Sequence, residues 1–297
     1  MSGTSMHDLL TLAEEAHGVN RLLLRSASVM QSYAREYCGK NRSVLSETCE
    51  PYHGWWQYWR LADLVATPNL HYRHYKDFLA GGTTTERQLL ICGTADYGIL
   101  DHLIQTIPRS RLDSTRIAVL DVCRTPLEMC SWYGAEYSSA CGGQLGLSCH
   151  LGDALHPPFG SGAFDLITSY DFLPRFSNAE KIRVVREWQR MLRPCGRVVT
   201  TARLAPVSKE EVVDSEANDF PEHVLQQISD HKPWLLPAIE TIDFLSREYS
   251  RTVVSRFSSM EYLYELFADF DCAINMMDLD TSFAGTERHA CIVAVKN

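Results

Sequence analysis

The stretch from Gln88 to Asp121 constrains this chain more than any other. It reads QLLICGTADYGILDHLIQTIPRSRLDSTRIAVLD. An apolar run, Leu89 to Cys92, meets the turn GTADYG. A helix follows with Ile99, Leu100, Leu103, Ile104 and Ile107 at helical spacing. A second apolar run, Ile117 to Leu120, stops at an acid, Asp121. Strand, tight turn, helix, strand and acid is how an open α/β sheet builds a nucleotide pocket. The turn lets backbone approach a ligand, and the acid can accept hydrogen bonds from ribose hydroxyls. The stretch predicts an adenosine-containing cofactor and leaves its kind open.

The same alternation continues downstream. Strands are predicted at Leu147 to Leu151, Phe164 to Thr168 and Arg197 to Thr201. A helix opens near Pro126, and another is capped by Ser177 with Ile182, Val185, Trp188 and Leu192 on its apolar face. Pro194 and Gly196 should break that helix before the fifth strand. Residues 206–258 interrupt the pattern as a helical insert, one helix carrying Ala238, Ile242, Leu245 and Tyr249. A helix capped by Ser259 then leads to strands at Cys272 to Met276 and Ala290 to Lys296. The loop of about 13 residues between those two strands has no room for a crossover helix, so they should be antiparallel neighbours. Residues 1–82 read as helices, among them Leu9 to Ala16, Val19 to Tyr37, an aromatic segment ending before Pro68, and one stopping at Gly81-Gly82. The expected fold is α/β: a seven-stranded, mostly parallel, doubly wound sheet with an antiparallel last strand. The expected organisation is a helical lid over 1–82 and a cofactor-binding domain over 83–297, with the insert at 206–258.

Composition narrows the function. The net charge is −9, which argues against a nucleic-acid partner bound through its phosphates. No apolar run approaches ~18 residues, so no membrane span is expected. The opening MSGTSM reads as a short addition before a natural start at Met6, without a signal peptide. The ten cysteines are scattered and form no C-x-x-C pair. They read as reduced thiols of a cytoplasmic protein, not as a disulfide framework or a zinc site. The histidines form no H-E-x-x-H or comparable pattern, and no metal is expected.

The turn alone does not choose a cofactor. GTADYG fits the dinucleotide fingerprint G-x-G/A-x-x-G, and both cofactor classes place an acid at Asp121. Two features separate them. In LGDALHPPFGSGAFDLITSYDFLPRF, the third strand ends at Asp153 and the fourth begins FDLI. At the chain's end, helix, strand, loop and antiparallel strand replace the second parallel half of a dehydrogenase. With these features, residues 87–202 and 259–297 resemble a class I S-adenosylmethionine (SAM) methyltransferase domain. LDVCRTPLEMCSWYGAE is similar to the second-strand region of certain bacterial methyltransferases with a D-x-C-x-T-P-L pattern. The resemblance implies that Gly93 and Ala95 carry the turn beside the methionine moiety. It implies Asp121 for the ribose, Val122 for the adenine face, and Asp153 with Ala154 for the adenine edge. Ala95 and Tyr97 depart from the family's glycines, and their side chains should narrow the turn.

The acceptor site has weaker signals. The aromatic block from Tyr52 to Trp59 is either core or one wall of a substrate pocket, where aromatic faces can stabilise a cation. Trp55, Tyr58 and Arg60 are its candidate substrate contacts, and Tyr170 and Asp171 after the fourth strand are two more. The expected function is SAM-dependent methyl transfer to a small, partly apolar or aromatic molecule. An NAD(P)-dependent oxidoreductase using the same turn and Asp121 is the alternative, as is a non-catalytic SAM-binding module or a SAM-fold enzyme of other chemistry such as aminopropyl transfer. A homodimer is left open, and no residue is assigned as catalytic base.

Overall fold

The central strands form because their runs are apolar throughout. In a computed structural model, β1 (Gln88–Cys92) pairs in parallel with β2 (Arg116–Asp121) on one side and with β4 (Phe164–Thr168) on the other. Leu89, Leu90, Ile91 and Cys92 are buried, as expected of a parallel strand covered on both faces. The structure describes residues 21–39, 49–61, 65, 71–82, 87–142, 144–204, 226, 229–230, 233–241, 257–281 and 285–297.

The sheet has seven strands in the order β3-β2-β1-β4-β5-β7-β6. Here β3 is Leu147–Leu151, β5 is Leu192–Arg203, β6 is Phe270–Thr281 and β7 is Gly285–Lys296. β2 pairs with β3, and β4 with β5, in parallel, while β7 runs antiparallel to β5. The strand order reverses between β1 and β4. That switch point opens a crevice at the carboxyl ends of those two strands, where ligands bind in such sheets. The expected fold class is therefore the observed one.

Two units make up the chain. One comprises residues 67–205, 254–278 and 288–297, and the other residues 1–66, 206–253 and 279–287. The first holds most of the sheet and the helices α3 (Tyr72–Gly82), α4 (Gly98–Thr106), α5 (Arg109–Leu112), α6 (Arg124–Cys141), α7 (Asn178–Met191) and α8 (Met260–Leu266). Its core joins α7 and α8 to the sheet through Trp188, Met191, Phe257, Leu263, Phe267 and Ile292. α3 thus goes with the sheet, although the sequence groups it with the N-terminal helices. The second unit holds α1 (Arg21–Tyr37) and α2 (Cys49–Leu61). The two helices pack closely, and a Cβ on Gly54 would meet that of Ala34 at an ordinary contact distance of 3.5 Å.

Several boundaries differ from the sequence reading. The buried face of α7 is Lys181, Val184, Val185, Trp188 and Met191, and Ile182 is exposed. The two candidate faces differ by one residue, about 100° of rotation, and Trp188 fits both. β5 begins at Leu192, directly after α7, and absorbs Pro194 and Gly196 in an irregularity. Three residues more lie between Leu192 and Arg197 than between their partners Phe164 and Leu166, and Cys195 takes a φ of 61°. β6 and β7 are much longer than expected and leave only residues 282–284 between them. Polar residues conceal the outer parts of both strands in the sequence, because an antiparallel pair can extend past the core with polar side chains on a solvated face. α8 ends at Leu266. Ala238 closes a 3-10 turn, Pro233–Ala238, whereas the expected helix at Leu9 to Ala16 and the positions Ile242, Leu245 and Tyr249 lie outside the described residues.

Candidate active site

The glycine turn is built around Asp121. Gly93 leaves β1 with φ 74° and donates its N–H to the Leu120 carbonyl at 2.8 Å. The next amide, Thr94 N–H, donates to Asp121 Oδ2 at 3.0 Å, and Cys123 N–H to Oδ1 at 2.7 Å. One carboxylate therefore ties the turn after β1 to the start of α6. A Cβ on Gly93 would come within 2.1 Å of the Phe172 ring, so only glycine fits there. Asp96 caps the following helix, its Oδ1 accepting from Gly98 N–H at 2.7 Å.

The departures in the turn have different outcomes. Ala95 is half-buried on the turn. Tyr97 is buried, and its ring stacks on Tyr133 of α6 with centroids 4.6 Å apart and planes 5° apart. Its side chain therefore packs between α4 and α6 and does not narrow the turn, contrary to the expectation from sequence. The phenol of Tyr133 donates to Asp101 and secures the stack.

Asp153 lies two residues past β3, on the neighbouring strand to Asp121. Its Oδ1 accepts from Leu155 N–H at 2.8 Å, and its side chain keeps 30% of its exposure. Val122 is half-buried beside Asp121, and Ala154 is buried. Two partly exposed carboxylates at adjacent strand ends, one beside a glycine turn, fit an adenosine group. A carboxylate offers roughly four acceptor sites. Asp121 would take the ribose diol and Asp153 the adenine amine.

A second constellation follows β4. Asp171 has φ 43°, a left-handed conformation uncommon outside glycine. Its N–H donates to Thr201 Oγ1 at 3.2 Å, and Tyr75 OH lies 3.2 Å from the same oxygen. Arg203 Nε stands 3.4 Å and His289 Nδ1 3.6 Å from Asp171 Oδ2. Burial opposes ionisation of Asp171, but His289, Arg203 and His71 outweigh it and hold the carboxyl well below its usual range. His71 Nδ1 lies 3.0 Å from Tyr170 OH, and the His71 and His289 rings are 4.7 Å apart. Burial, opposed by Asp171 and aided by His289, pushes the His71 pKa down to about 4. His74 is also pushed down to about 4 by burial, although its Nε2–H donates to the Thr200 carbonyl at 3.2 Å. The structure thus brings Tyr170 and Asp171 together with His71, Arg203 and His289, none of which the sequence had singled out for the site. Phe172, next in sequence, lies on Gly93 and links this cluster to the turn.

Trp55, Tyr58 and Arg60 belong to the helical unit. Tyr58 is buried, and its phenol is raised by that burial against the pull of Arg35. Trp55 is half-buried with its ring 5.3 Å from that of Tyr58, and Arg60 donates to Gln57 Oε1 at 3.2 Å. The aromatic stripe of α2 is the half-buried Tyr52 with the buried Trp56 and Trp59, with centroids 5.3 to 6.0 Å apart.

Residues 106–200 match the family model described as a methyltransferase domain. The match spans β2 to β5, including Asp121, Asp153 and the segment after β4. The matched segment, about a third of the chain, is similar to a methyltransferase domain. Where a dinucleotide dehydrogenase would continue with a second parallel half, the antiparallel β7 stands beside β5. No curated protein sequence matches the chain. Among solved structures, it is similar to an N-methyltransferase from Bradyrhizobium japonicum bound to S-adenosylhomocysteine, with 13% identity over 90% of this chain and 97% of that one and a TM-score of 0.47. It is also similar to a SAM-dependent methyltransferase from Methanosarcina mazei, with 13% identity, 70% and 92% coverage and a TM-score of 0.45. A protein from Bordetella parapertussis described as a possible exported protein shows 15% identity, 97% and 86% coverage and a TM-score of 0.49.

Proposed function

We propose that the chain is a SAM-dependent methyltransferase of a small, partly apolar or aromatic molecule, and that Tyr170 and Asp171 meet the acceptor with His71 behind them. One observation carries the reading. The cluster of His71, Tyr170, Asp171, Arg203 and His289 follows β4, next to the ring that lies on Gly93. SAM supplies an electrophilic methyl group on a sulfonium. In-line transfer of that methyl group would need the acceptor's lone pair aligned with the carbon–sulfur bond. The protein's part is to hold the acceptor in near-attack geometry and to take any proton it loses.

The cluster suits that second task. His71 is neutral at pH 7, because its pKa is pushed down to about 4. Tyr170 can accept the acceptor's proton on its phenol oxygen while passing its own to His71 Nδ1, 3.0 Å away. The ionised Asp171 stabilises the imidazolium that forms. The net charge of −9 also favours a small acceptor over a nucleic acid.

The test combines calorimetry and turnover. SAM and S-adenosylhomocysteine should bind, and NAD(H) should not. Release of S-adenosylhomocysteine, followed over a panel of phenols, aromatic amines and apolar acids, should identify an acceptor. With that acceptor, Y170F should lower kcat by roughly 10²-fold, the low end for general acid–base groups, with SAM binding unchanged. W55A asks separately whether the helical unit contributes to turnover. Binding of NAD(H) alone, or tight SAM binding without turnover of any acceptor, would sink the proposal.

A further inference from the structure

The helical unit brings three metal-ligating side chains to one point. Cys38 follows the last turn of α1, Cys49 opens α2, and His53 lies one turn further along α2. Cys49 and His53 are spaced i, i+4, which puts them on one helix face. Cys49 Sγ lies 3.1 Å from His53 Nδ1, Cys38 Sγ lies 3.3 Å from the same nitrogen, and the two sulfurs are 3.5 Å apart. All three residues are buried, between 5% and 8% exposed.

We propose that Cys38, Cys49 and His53 bind one zinc ion through two thiolates and the Nδ1 imidazole nitrogen. The spacing is close to what a tetrahedral ion needs. Zinc–sulfur bonds of about 2.3 Å and zinc–nitrogen bonds of about 2.0–2.1 Å put ligand atoms roughly 3.6–3.8 Å apart. The three atoms are within several tenths of an ångström of that triangle, and a small outward shift opens a seat for the ion. A disulfide would require the sulfurs to approach to about 2.05 Å, and none of the ten cysteines is in one. Two soft thiolates with an imidazole select zinc over magnesium or calcium, which prefer oxygen donors. Cys49 sits at a helix N-terminus, whose dipole favours a thiolate. Binding converts two thiols to thiolates and releases their two protons to solvent. The fourth coordination position is taken by water or by a donor outside these three. The ion would pin the end of α1 to the start of α2, independently of methyl transfer.

The test uses the full chain, purified reduced and stripped of metal. Zinc titration with metal analysis should give one tightly bound ion per chain, with protons released on binding. Cobalt(II) should replace it and show thiolate-to-metal charge-transfer absorption. C38S, C49S and H53Q should each lose most of the bound metal, while C195S, at an exposed cysteine, should keep it. The wild-type cobalt spectrum keeps the proposal exposed even if a variant fails to fold. A cobalt complex without thiolate bands, full metal content in C38S and C49S, or no bound zinc at all would each overturn it. Loss of two titratable thiols on mild oxidation, with no metal uptake by the reduced chain, would show a disulfide pair in its place.

Discussion

Gly93 and Asp121 carry the tightest local constraints on the cofactor turn. Replacing Gly93 with alanine forces a Cβ into the Phe172 ring and a left-handed backbone on an L residue. G93A should therefore cost about 2–4 kcal/mol in urea unfolding, from backbone strain plus overpacking. G93A/F172A should recover the steric share and leave the backbone share, which a double-mutant cycle separates. If both variants lose equally, the ring contact is not what demands glycine. D121N keeps the shape but removes the charge, so SAM affinity should fall about tenfold or more, as for hydrogen bonds to charged groups. The buried histidines set a pH dependence. His71 and His74 titrate near 6.5 when unfolded and at about 4 when folded. The unfolded chain binds more protons between those values, so stability is full above about pH 6.5 and falls as pH drops toward 4. Urea midpoints across that range should show the loss, and H74Q should reduce it. Asp171 acts in a lower window, where its depressed carboxyl loses stability only as pH falls below the ordinary value of 3.8.

At the scale of elements, α7 shows how local chemistry fixes a start. Ser177 and Glu180 form a capping box, with Ser177 N–H donating to Glu180 Oε2 at 2.9 Å. S177A should cost about 1 kcal/mol, read as a lower urea midpoint with an unchanged slope. A change in slope instead would mean that more than the cap was lost. Starts and stops of this kind were legible in the sequence: Ser177, Ser259 and the strands β1, β3 and β4 stand where their residues predict. Faces and strand ends were less legible. Ile182 looked like core because Trp188 fits two helical stripes, and only the sheet beneath α7 chooses between them. Polar residues hid the full length of β6 and β7, since a solvated antiparallel strand does not need an apolar run.

For the whole molecule, SAM should act as a stabilising ligand. At a concentration 100 times its Kd, it should add about 2.7 kcal/mol to unfolding, whereas NAD(H) should leave the melting temperature unchanged. An equal shift with both would contradict the assignment of the cofactor. The pieces that could not be foreseen are those that join distant segments. His71, Arg203 and His289 carry no motif, and the 11 histidines give no metal pattern to follow. Cys38, Cys49 and His53 lack a zinc-finger spacing, so only the packing of α1 on α2 brings them into one triangle. The sequence by itself determined the alternating α/β plan, the glycine turn and the two carboxylates. Each of those depends on neighbours a few residues away, through hydrogen-bonded turns and the period of apolar side chains. Tertiary structure alone decided where Tyr97 points and which side chains surround Asp171, because those depend on which strands and helices lie side by side.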